Sequence, residues 1–214
     1  MGKSDSFVFP FYTQSIKPYV SQAKSVAFLG FSKPNSFTDS FSIKKKEFFD
    51  YQLGNWDINA SWILQDRFDL IVCTRCAYFS KDPEQFIRTA LKYLSPTGAL
   101  LVDWGLGDHW RFEKFKIGWI RDGEHEYAQY DKKHHIQSIY WRPEFDDNPT
   151  VLRFFDACAK FGYDTSIKIS NFVEKEVPYI CSTKFDELVF YDFLFLWPHM
   201  PQLTLLTIFK APAG

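Results

Sequence analysis

The sequence lacks a long apolar run and an excess of charge of either sign. A membrane-spanning helix needs about 20 apolar residues, but the most apolar stretch, residues 188–197, is interrupted by Asp192 and followed by Pro198. Lysine and arginine number 25 and aspartate and glutamate 26, which leaves a net charge of -1. No global field therefore draws the chain to nucleic acid or anionic lipid, and we expect neither as a partner.

Cysteine is also scarce, with Cys73, Cys76, Cys158 and Cys181 in a chain of 214 residues. Four cysteines are too few for a disulfide scaffold in a chain of this length. The N-terminal residues include one early lysine and no long apolar segment, so we expect no secretory signal. Both features predict a protein of the reducing cytoplasm.

Hydrophobic residues make up 46% of the chain and charged residues 24%, which is the balance of a globular domain. We expect one domain over residues 1–214, with a lead-in segment at 1–24 and an insertion or lid at 105–147. Aromatic residues reach 20% and crowd into those two segments and residues 185–197. Because exposed apolar patches mark interfaces, a homodimer through the aromatic-rich segments is an open alternative to simple core packing.

The clearest local pattern is a strand, a helix and a second strand, predicted at residues 68–74, 83–94 and 99–104, with a turn at 95–98. The first apolar run is typical of a strand covered on both faces. Asp82 suits an N-cap, Pro83 fits the first helical position, and Gln85 sits where a capping-box partner would. Such a βαβ unit implies parallel strand pairing.

Other expected elements are strands at 25–30, 44–51, 165–169 and 202–210 and a helix at 150–161. Pro18 should make any helix of the lead-in short or kinked, and residues 185–197 fit no single element. Together these patterns predict an α/β fold. We expect a Rossmann-like, open, mostly parallel sheet with helices on both faces.

Residues 68–104, FDLIVCTRCAYFSKDPEQFIRTALKYLSPTGALLVDW, resemble the second half of a class I S-adenosylmethionine-dependent methyltransferase. That family has an FDL(I/V)V-type strand, a loop, a DPE-type helix start, a turn of the LKPGG kind and another strand. The resemblance implies S-adenosylmethionine as the cofactor. It covers about a sixth of the chain, and the strand at 25–30 resembles the family's first strand.

The chain departs from the family in its first loop and in its length. Where the family has D-x-G-x-G-x-G, this sequence has Phe28, Gly30, Ser32 and Pro34. Proline fixes φ and removes a donor, so the loop must run differently. Only residues 31–67 separate the glycine strand from the FDLIV strand, which leaves room for about one crossover unit. We therefore expect a shortened N-terminal half.

The acid that the resemblance assigns to the cofactor ribose has two candidate positions. Asp50 lies twenty residues after Gly30, which is the spacing of a ribose-binding acid in Rossmann folds. In a competing register, residues 45–51 are the third strand, and Asn55 and Asp57 match the family's adenine-side loop. We favour the second register, because Asp57 lies shortly before the FDLIV strand.

Ligands of open α/β sheets bind beyond the carboxyl ends of the strands. That rule selects, as cofactor-contacting or catalytic candidates, Gly30, Phe31, Ser32, Cys73, Thr74, Arg75, Tyr78, Asp103, Trp104 and His109. Arg75 could hold a carboxylate or phosphate, or could pair with a nearby aspartate. His109 is the best candidate for a substrate-side base, and Tyr78 is the second catalytic candidate. Methyl transfer itself needs little acid–base help when positioning supplies most of the effect.

Cys73 and Cys76 have C-x-x-C spacing, but the context does not favour a redox or metal site. A thioredoxin-like pair needs its first cysteine at a helix N-terminus, whereas the predicted helix begins seven to ten residues later. A zinc site needs two more ligands, and the sequence has no second C-x-x-C pair. We read the spacing as coincidence and expect no metal.

The favoured function is methyl transfer from S-adenosylmethionine to an unidentified small molecule or biopolymer. The alternative is a non-catalytic binding or assembly module on the same fold, which the altered glycine loop and the shortened 31–67 segment favour. A nucleotide- or sugar-modifying α/β enzyme is a third hypothesis, because fold alone does not determine function.

Overall fold

A computed structural model describes residues 5–77, 80, 82–108, 149–160, 177–196 and 202–213. The strands are β1 (Ser25–Leu29), β2 (Lys45–Phe49), β3 (Phe68–Cys73), β4 (Leu94–Asp108), β5 (Leu188–Leu196) and β6 (Gln202–Lys210). The helices are α1 (Asp5–Val20), α2 (Ser36–Asp39), α3 (Pro83–Lys92), α4 (Pro149–Lys160) and α5 (Val177–Lys184), with a short 3₁₀ turn at Tyr51–Leu53. None of the described helices is long and apolar enough to span a bilayer.

The six strands form one sheet in the order β2-β1-β3-β4-β6-β5. The four strands from β2 to β4 in this order are parallel, whereas β6 runs antiparallel to both β4 and β5. The predicted open, mostly parallel α/β sheet is therefore confirmed. The strand predicted at 165–169 lies outside the described residues.

Helices cover both faces of this sheet. Successive side chains of a strand point to opposite faces, so alternate residues of β1 contact different helices. Val26 and Phe28 of β1 belong to a core cluster that includes residues of α1 and α2. Ala27 and Leu29 belong to a second cluster with residues of α3 and α5. The prediction of a parallel sheet buried on both faces is confirmed, and its aliphatic runs are explained by this double coverage.

Helix α1 is longer than the sequence predicts. It has 16 residues and continues through Pro10 and Pro18, although each proline removes one backbone hydrogen bond. Val8, Tyr12 and Ile16, each four residues apart, are fully buried against the sheet. Burial of this single stripe offsets the lost hydrogen bonds, so the expectation of a short helix is wrong.

The βαβ unit at 68–104 is confirmed, with two local corrections. The Asp82 carboxylate caps α3 by accepting from the Gln85 backbone N–H at 3.0 Å. The Gln85 side chain, however, donates to Thr89 rather than closing a capping box. The predicted turn at 95–98 is part of β4, which begins at Leu94 and carries a register shift opposite the start of β3.

The N-terminal half is shortened as expected. Between β1 and β3 the chain forms only the four-residue helix α2, the strand β2 and the 3₁₀ turn. Strand β2 pairs directly with β1, in a parallel register that begins at Ser25 and Lys45. One crossover unit therefore connects β1 to its outer neighbour.

Asp69 connects the starts of three strands. Its carboxylate accepts from the Lys24 backbone N–H at 2.8 Å, from the Ser25 backbone N–H at 3.3 Å, and from Ser95 Oγ at 2.7 Å. Burial alone would raise the pKa of Asp69, but these hydrogen bonds outweigh it and lower the pKa below its ordinary value of 3.8.

We expect the stability advantage of the wild type over Asp69→Asn to shrink as the pH falls. A carboxyl whose pKa is lower in the folded state stabilises the fold above its unfolded pKa, and this contribution is lost as pH falls through the folded pKa. Denaturant unfolding between about pH 6 and about pH 2 would measure the difference. Asp66→Asn is the control, because Asp66 is exposed and its ion-pair partner among the described residues is the exposed Lys45. A constant difference for Asp69→Asn would contradict the expectation.

Candidate functional site

The candidate site lies where β1, β2, β3 and β4 end at one edge of the sheet. Parallel strands bring their carboxyl ends together, and ligands of open α/β sheets bind beyond those ends. The residues that follow or lie at these ends are Gly30 after β1, Asp50 after β2, Thr74 after β3 and, within the longer β4, Asp103. The structure thus places candidate residues from four segments along one edge.

Gly30 has a left-handed backbone, with φ of +79°. Its N–H donates to the Phe49 carbonyl at 2.7 Å, which connects the ends of β1 and β2. A Cβ at this position would lie 2.6 Å from Cys76 Cβ and 2.7 Å from Cys76 Sγ. Glycine is therefore required both by the backbone conformation and by the Cys76 side chain that fills the adjacent space.

The residues after Gly30 turn toward the core. Phe31 is buried, and its ring centroid lies 5.6 Å from that of Phe28 and 6.1 Å from that of Phe37. Phe28, which stands at the family's acidic position, is fully buried in the same cluster. Ser32 is half-buried. The Phe31 side chain thus packs the core, and cofactor contact by Phe31 and Ser32 stays a prediction.

Asp50 directly follows β2, the strand next to the glycine strand. It is half-buried, and its Oδ1 accepts from the Gln52 backbone N–H at 2.7 Å. Because β2 pairs with β1 itself, this segment holds the position next to the first strand, and interpreting it as the third strand is wrong. Which of Asp50 and Asp57 contacts a ribose stays a prediction, since the strand pairing concerns only the position of β2.

Asn55 holds the turn after β2 in place. Its Oδ1 accepts from the Asp50 backbone N–H at 3.0 Å, and its Nδ2 donates to the Phe48 carbonyl at 2.9 Å. This pair of hydrogen bonds positions Asp50 at the strand end. Asn55 is therefore a positioning residue in this structure, whether or not it also contacts a ligand.

A cavity of about 520 Å³ opens beside this turn. Its lining residues are Tyr51, Gly54, Asn55, Trp56, Asp57, Ser61, Trp62 and Ile63. The Trp56 and Trp62 rings meet edge to face, with centroids 5.2 Å apart. Trp56 Nε1 is buried and has no hydrogen-bond partner within the part of the chain that the structure describes. The cavity thus has aromatic walls, and one of its lining residues carries this buried indole N–H.

Asp57 lines the same cavity, so the structure brings both candidate acids to one region. Its Oδ1 accepts from the Asn59 backbone N–H at 2.8 Å. Asp50 precedes the cavity residue Tyr51, and Asp57 follows Trp56. The two registers considered from sequence therefore differ in strand assignment but lead to the same cavity.

The end of β3 is buried and contains a second unsatisfied polar group. Cys73 is fully buried and Thr74 is 2% exposed. The Thr74 hydroxyl finds no hydrogen-bond partner among the described residues. Arg75 has a left-handed backbone with φ of 58°, a conformation that is uncommon for a residue with a side chain.

Asp103 lies beyond the end of β3 and gathers donors from three segments. It is 1% exposed and accepts hydrogen bonds from Tyr12 Oη, Thr204 Oγ1 and the Arg75 backbone N–H. Burial raises the pKa of Asp103, although these bonds and the Arg75 charge oppose the rise. The Arg75 charge therefore acts on Asp103, and the role of Arg75 toward a ligand carboxylate or phosphate stays a prediction.

Tyr12 and Thr204 were not singled out by the sequence, although both contact Asp103. Tyr12 belongs to an apolar stripe of α1, where a tyrosine looks like any other core residue. Thr204 lies on the same face of β6 as Leu206 and Ile208, because every second residue of a strand points to the same side. Only the strand order, which places β6 beside β4, brings these hydroxyls to Asp103.

Both catalytic candidates, Tyr78 and His109, lie outside the described residues, as does most of the predicted insertion at 105–147. Trp104 is fully buried, and its Nε1 donates to Thr207 Oγ1 at 3.0 Å, so its side chain serves the core. Among the described residues, no three histidine, cysteine or acidic side chains group into a metal site. The predicted homodimer remains a prediction, with Val189 and Tyr191 exposed on the edge strand β5.

Comparison with known proteins returns methyltransferases at the level of fold. No protein-family model matches this sequence, and no curated protein matches it significantly. The N-methyltransferase NodS from Bradyrhizobium japonicum WM9 is 16% identical, over 97% of this chain and 99% of that chain, with a TM-score of 0.45. A protein from Listeria monocytogenes that has been assigned as an S-adenosylmethionine-dependent methyltransferase is 12% identical, over 94% of this chain and 98% of that chain, with a TM-score of 0.49.

The plantazolicin methyltransferase BpumL, solved in complex with S-adenosylhomocysteine, is 12% identical over 98% of this chain and 83% of that chain. Its TM-score is 0.42. These proteins belong to the class that residues 68–104 resemble.

Proposed function

We propose that this chain binds S-adenosylmethionine at the carboxyl edge of β1, β2 and β3 and transfers its methyl group to an acceptor. The observation that carries the proposal is the left-handed Gly30 at the end of β1, hydrogen-bonded to the end of β2, where Asp50 directly precedes Tyr51, a lining residue of the tryptophan-walled cavity. Edge position, acid and cavity coincide in one place, as expected for a nucleoside ligand at a strand-end crevice.

The residues present fit the chemical groups of this cofactor. The Asp50 carboxylate suits ribose hydroxyls as an acceptor, and the Asp57 carboxylate suits an adenine amino group. Trp56 and Trp62 offer apolar faces to a planar base. The unsatisfied Thr74 hydroxyl and Trp56 indole N–H are buried groups that a polar ligand would satisfy.

The cofactor, when bound, supplies a methyl group on a positively charged sulfur. The chain's own residues bind and orient the cofactor and the acceptor, since most of the rate effect in such a transfer comes from positioning. Asp50 and Asn55 hold the turn at the end of β2, and Thr74 offers its hydroxyl at the end of β3. Proton removal from the acceptor is assigned to His109 or Tyr78, as the sequence predicts.

A non-catalytic binding module is the second candidate, and one observation favours it. Cys76 fills the space beside Gly30 where a Cβ would lie, so a ligand there would contact Cys76 rather than approach the Gly30 Cα. In the family's glycine loop, the absence of side chains lets the cofactor approach the backbone closely. The packing of Cys76, together with Pro34 in the first loop, departs from that arrangement. Binding without methyl transfer would support this second function.

We expect calorimetry to detect binding of S-adenosylmethionine and of S-adenosylhomocysteine. Asp50→Asn should weaken both by about tenfold or more, because a charge-assisted hydrogen bond contributes about 1.5–3 kcal/mol. Asp57→Asn tests the competing assignment of the ribose acid, and Asp39→Asn, at an exposed position of α2, is the matched control. An absence of heat at millimolar ligand with the wild type folded would contradict cofactor binding.

A further inference from the structure

Two thiols meet at the end of β3. Cys73 is the last residue of the strand and is fully buried, whereas Cys76 is half-buried. The two side chains share a hydrogen bond, and burial together with that bond raises the pKa of Cys73 well above its ordinary value. The Cys76 side chain lies against Gly30, which follows Leu29, the strand partner of Cys73. The C-x-x-C spacing that the sequence left as coincidence therefore corresponds to two neighbouring thiols.

The backbone between the two cysteines is held in an unusual shape. Arg75 is the one residue other than glycine with positive φ in the part of the chain that the structure describes, at 58°. Its N–H donates to the carboxylate of Asp103, which is itself held by Tyr12 and Thr204. Left-handed residues with side chains are energetically unfavourable and concentrate at functional positions. Here that turn returns Cys76 to the side of Cys73.

A third cysteine provides the contrast. Cys181 lies in α5, is 1% exposed, and burial raises its pKa. A thiol that keeps its proton and is shielded from solvent reacts slowly with oxidants. Of the three free cysteines among the described residues, only Cys76 combines exposure to solvent with a thiol neighbour.

We propose that Cys73 and Cys76 form a reversible disulfide when the protein meets hydrogen peroxide. Cys76 sulfur attacks the peroxide, the O–O bond breaks, one water leaves, and Cys76 becomes a sulfenic acid. Cys73 sulfur then displaces the hydroxyl of that sulfenic acid, its proton leaves with the oxygen as a second water, and the S–S bond forms. Two thiols are oxidised and one peroxide is reduced to two waters. A dithiol such as dithiothreitol restores the thiols by exchange.

The disulfide changes the ligand edge of the sheet. Forming it brings the two sulfurs to about 2.05 Å, so the Cys76 side chain cannot keep its contact beside Gly30 unchanged. That contact is close, with the Gly30 Cβ position only 2.7 Å from Cys76 Sγ. The oxidised and reduced forms therefore present different surfaces at the end of β1. The disulfide itself does not depend on cofactor binding, since the pair needs no ligand to react.

Intact-mass measurement after treatment with hydrogen peroxide tests the proposal on the full chain. We expect a loss of two hydrogens, about 2 Da, that dithiothreitol reverses, and a digest that joins the peptides of Cys73 and Cys76. Cys76→Ser should abolish this loss, whereas Cys181→Ser should retain it. Cys73→Ser tests the second sulfur, and if that buried change prevents folding, Cys76→Ser still decides.

Three results would overturn the proposal. The first is a wild type that keeps its mass or gains only oxygen, and the second is a bridge that maps to Cys158, to Cys181 or between two chains. The third is a mass loss that survives in Cys76→Ser. The cofactor titration is run separately on reduced protein, so failure of S-adenosylmethionine binding leaves the disulfide result unaffected.

Discussion

Replacing Gly30 with alanine should lower the free energy of unfolding by about 2–5 kcal/mol. The left-handed backbone costs a residue with a Cβ about 1–2 kcal/mol, and overpacking against a filled neighbour adds about 1–3 kcal/mol. The neighbour is Cys76, whose Cβ lies 2.6 Å from the position of the new Cβ. Because that obstacle is a Cβ rather than the end of a flexible side chain, a rotamer change cannot remove it. Denaturant unfolding of the reduced protein measures the loss.

Gly54 is the matched control for this substitution. Its φ is also positive, at +67°, but nothing lies within 4 Å of an added Cβ. Gly54→Ala should therefore cost only about 1 kcal/mol, the conformational part alone. The difference between the two variants isolates the contact with Cys76.

A double-mutant cycle provides a further check. Cys76→Gly removes the obstructing atoms, so Gly30→Ala should cost less in that background, by about the steric part. If Gly30→Ala and Gly54→Ala cost the same free energy, or if Gly30→Ala shows no coupling to Cys76→Gly, then the Cβ added at position 30 does not contact the Cys76 side chain. That result would also remove the structural link between the dithiol and the ligand edge.

Loss of the Tyr12 hydroxyl should destabilise the fold by about 2 kcal/mol near neutral pH, since hydrogen bonds to buried charged groups contribute about 1.5–3 kcal/mol. Tyr12→Phe keeps the buried ring of α1 but removes a donor to Asp103. Tyr19→Phe is the control on the same helix, because Tyr19 is only half-buried. We expect that control to change stability by less than about 0.5 kcal/mol.

The effect of Tyr12→Phe should depend on pH in a defined direction. The folded pKa of Asp103 is raised above 3.8, so its contribution is complete below the unfolded pKa and falls as pH rises through the folded pKa. Tyr12 opposes that rise, so its removal raises the pKa further. The deficit of Tyr12→Phe should be smaller at about pH 4 than at about pH 7.5. Unfolding at both values tests this, and a deficit that grows on acidification would contradict it.

Much of the central fold could be predicted, because its signals are local. Residues 68–104 contain the patterns of an apolar strand, a capped helix with one apolar stripe and a second apolar strand. The predicted final strand at 202–210 has the bounds that the structure shows. The helix α1 was underestimated, because burial against the sheet outweighs two prolines and burial is not a local property. Extension of β4 back to Leu94 was also missed, since strand pairing overrides the Ser-Pro-Thr-Gly turn pattern.

The candidate site divides in the same way. The strand-end rule selected Gly30, Thr74 and Asp103 without a structure, because it needs only the order of strands and their ends. The choice between Asp50 and Asp57 as the ribose acid stays a prediction. The position of residues 45–51 in the sheet could not be read from the sequence, because it depends on which strand pairs with β1. Pairing joins residues far apart in sequence, and the hydrophobic pattern of a short strand does not specify its neighbour.

By itself, then, the sequence determined an α/β chain with a parallel βαβ unit, a shortened N-terminal half and a methyltransferase-like middle. Apolar periodicity and turn residues are sufficient for that, since they act over a few residues. Only the tertiary structure decided that Cys76 packs on Gly30, that the Cys73 and Cys76 thiols are neighbours, and that Tyr12 reaches Asp103 across 91 residues. Such contacts follow from how α1 and the sheet pack together, and the free energy of that packing is a property of the whole core rather than of any segment.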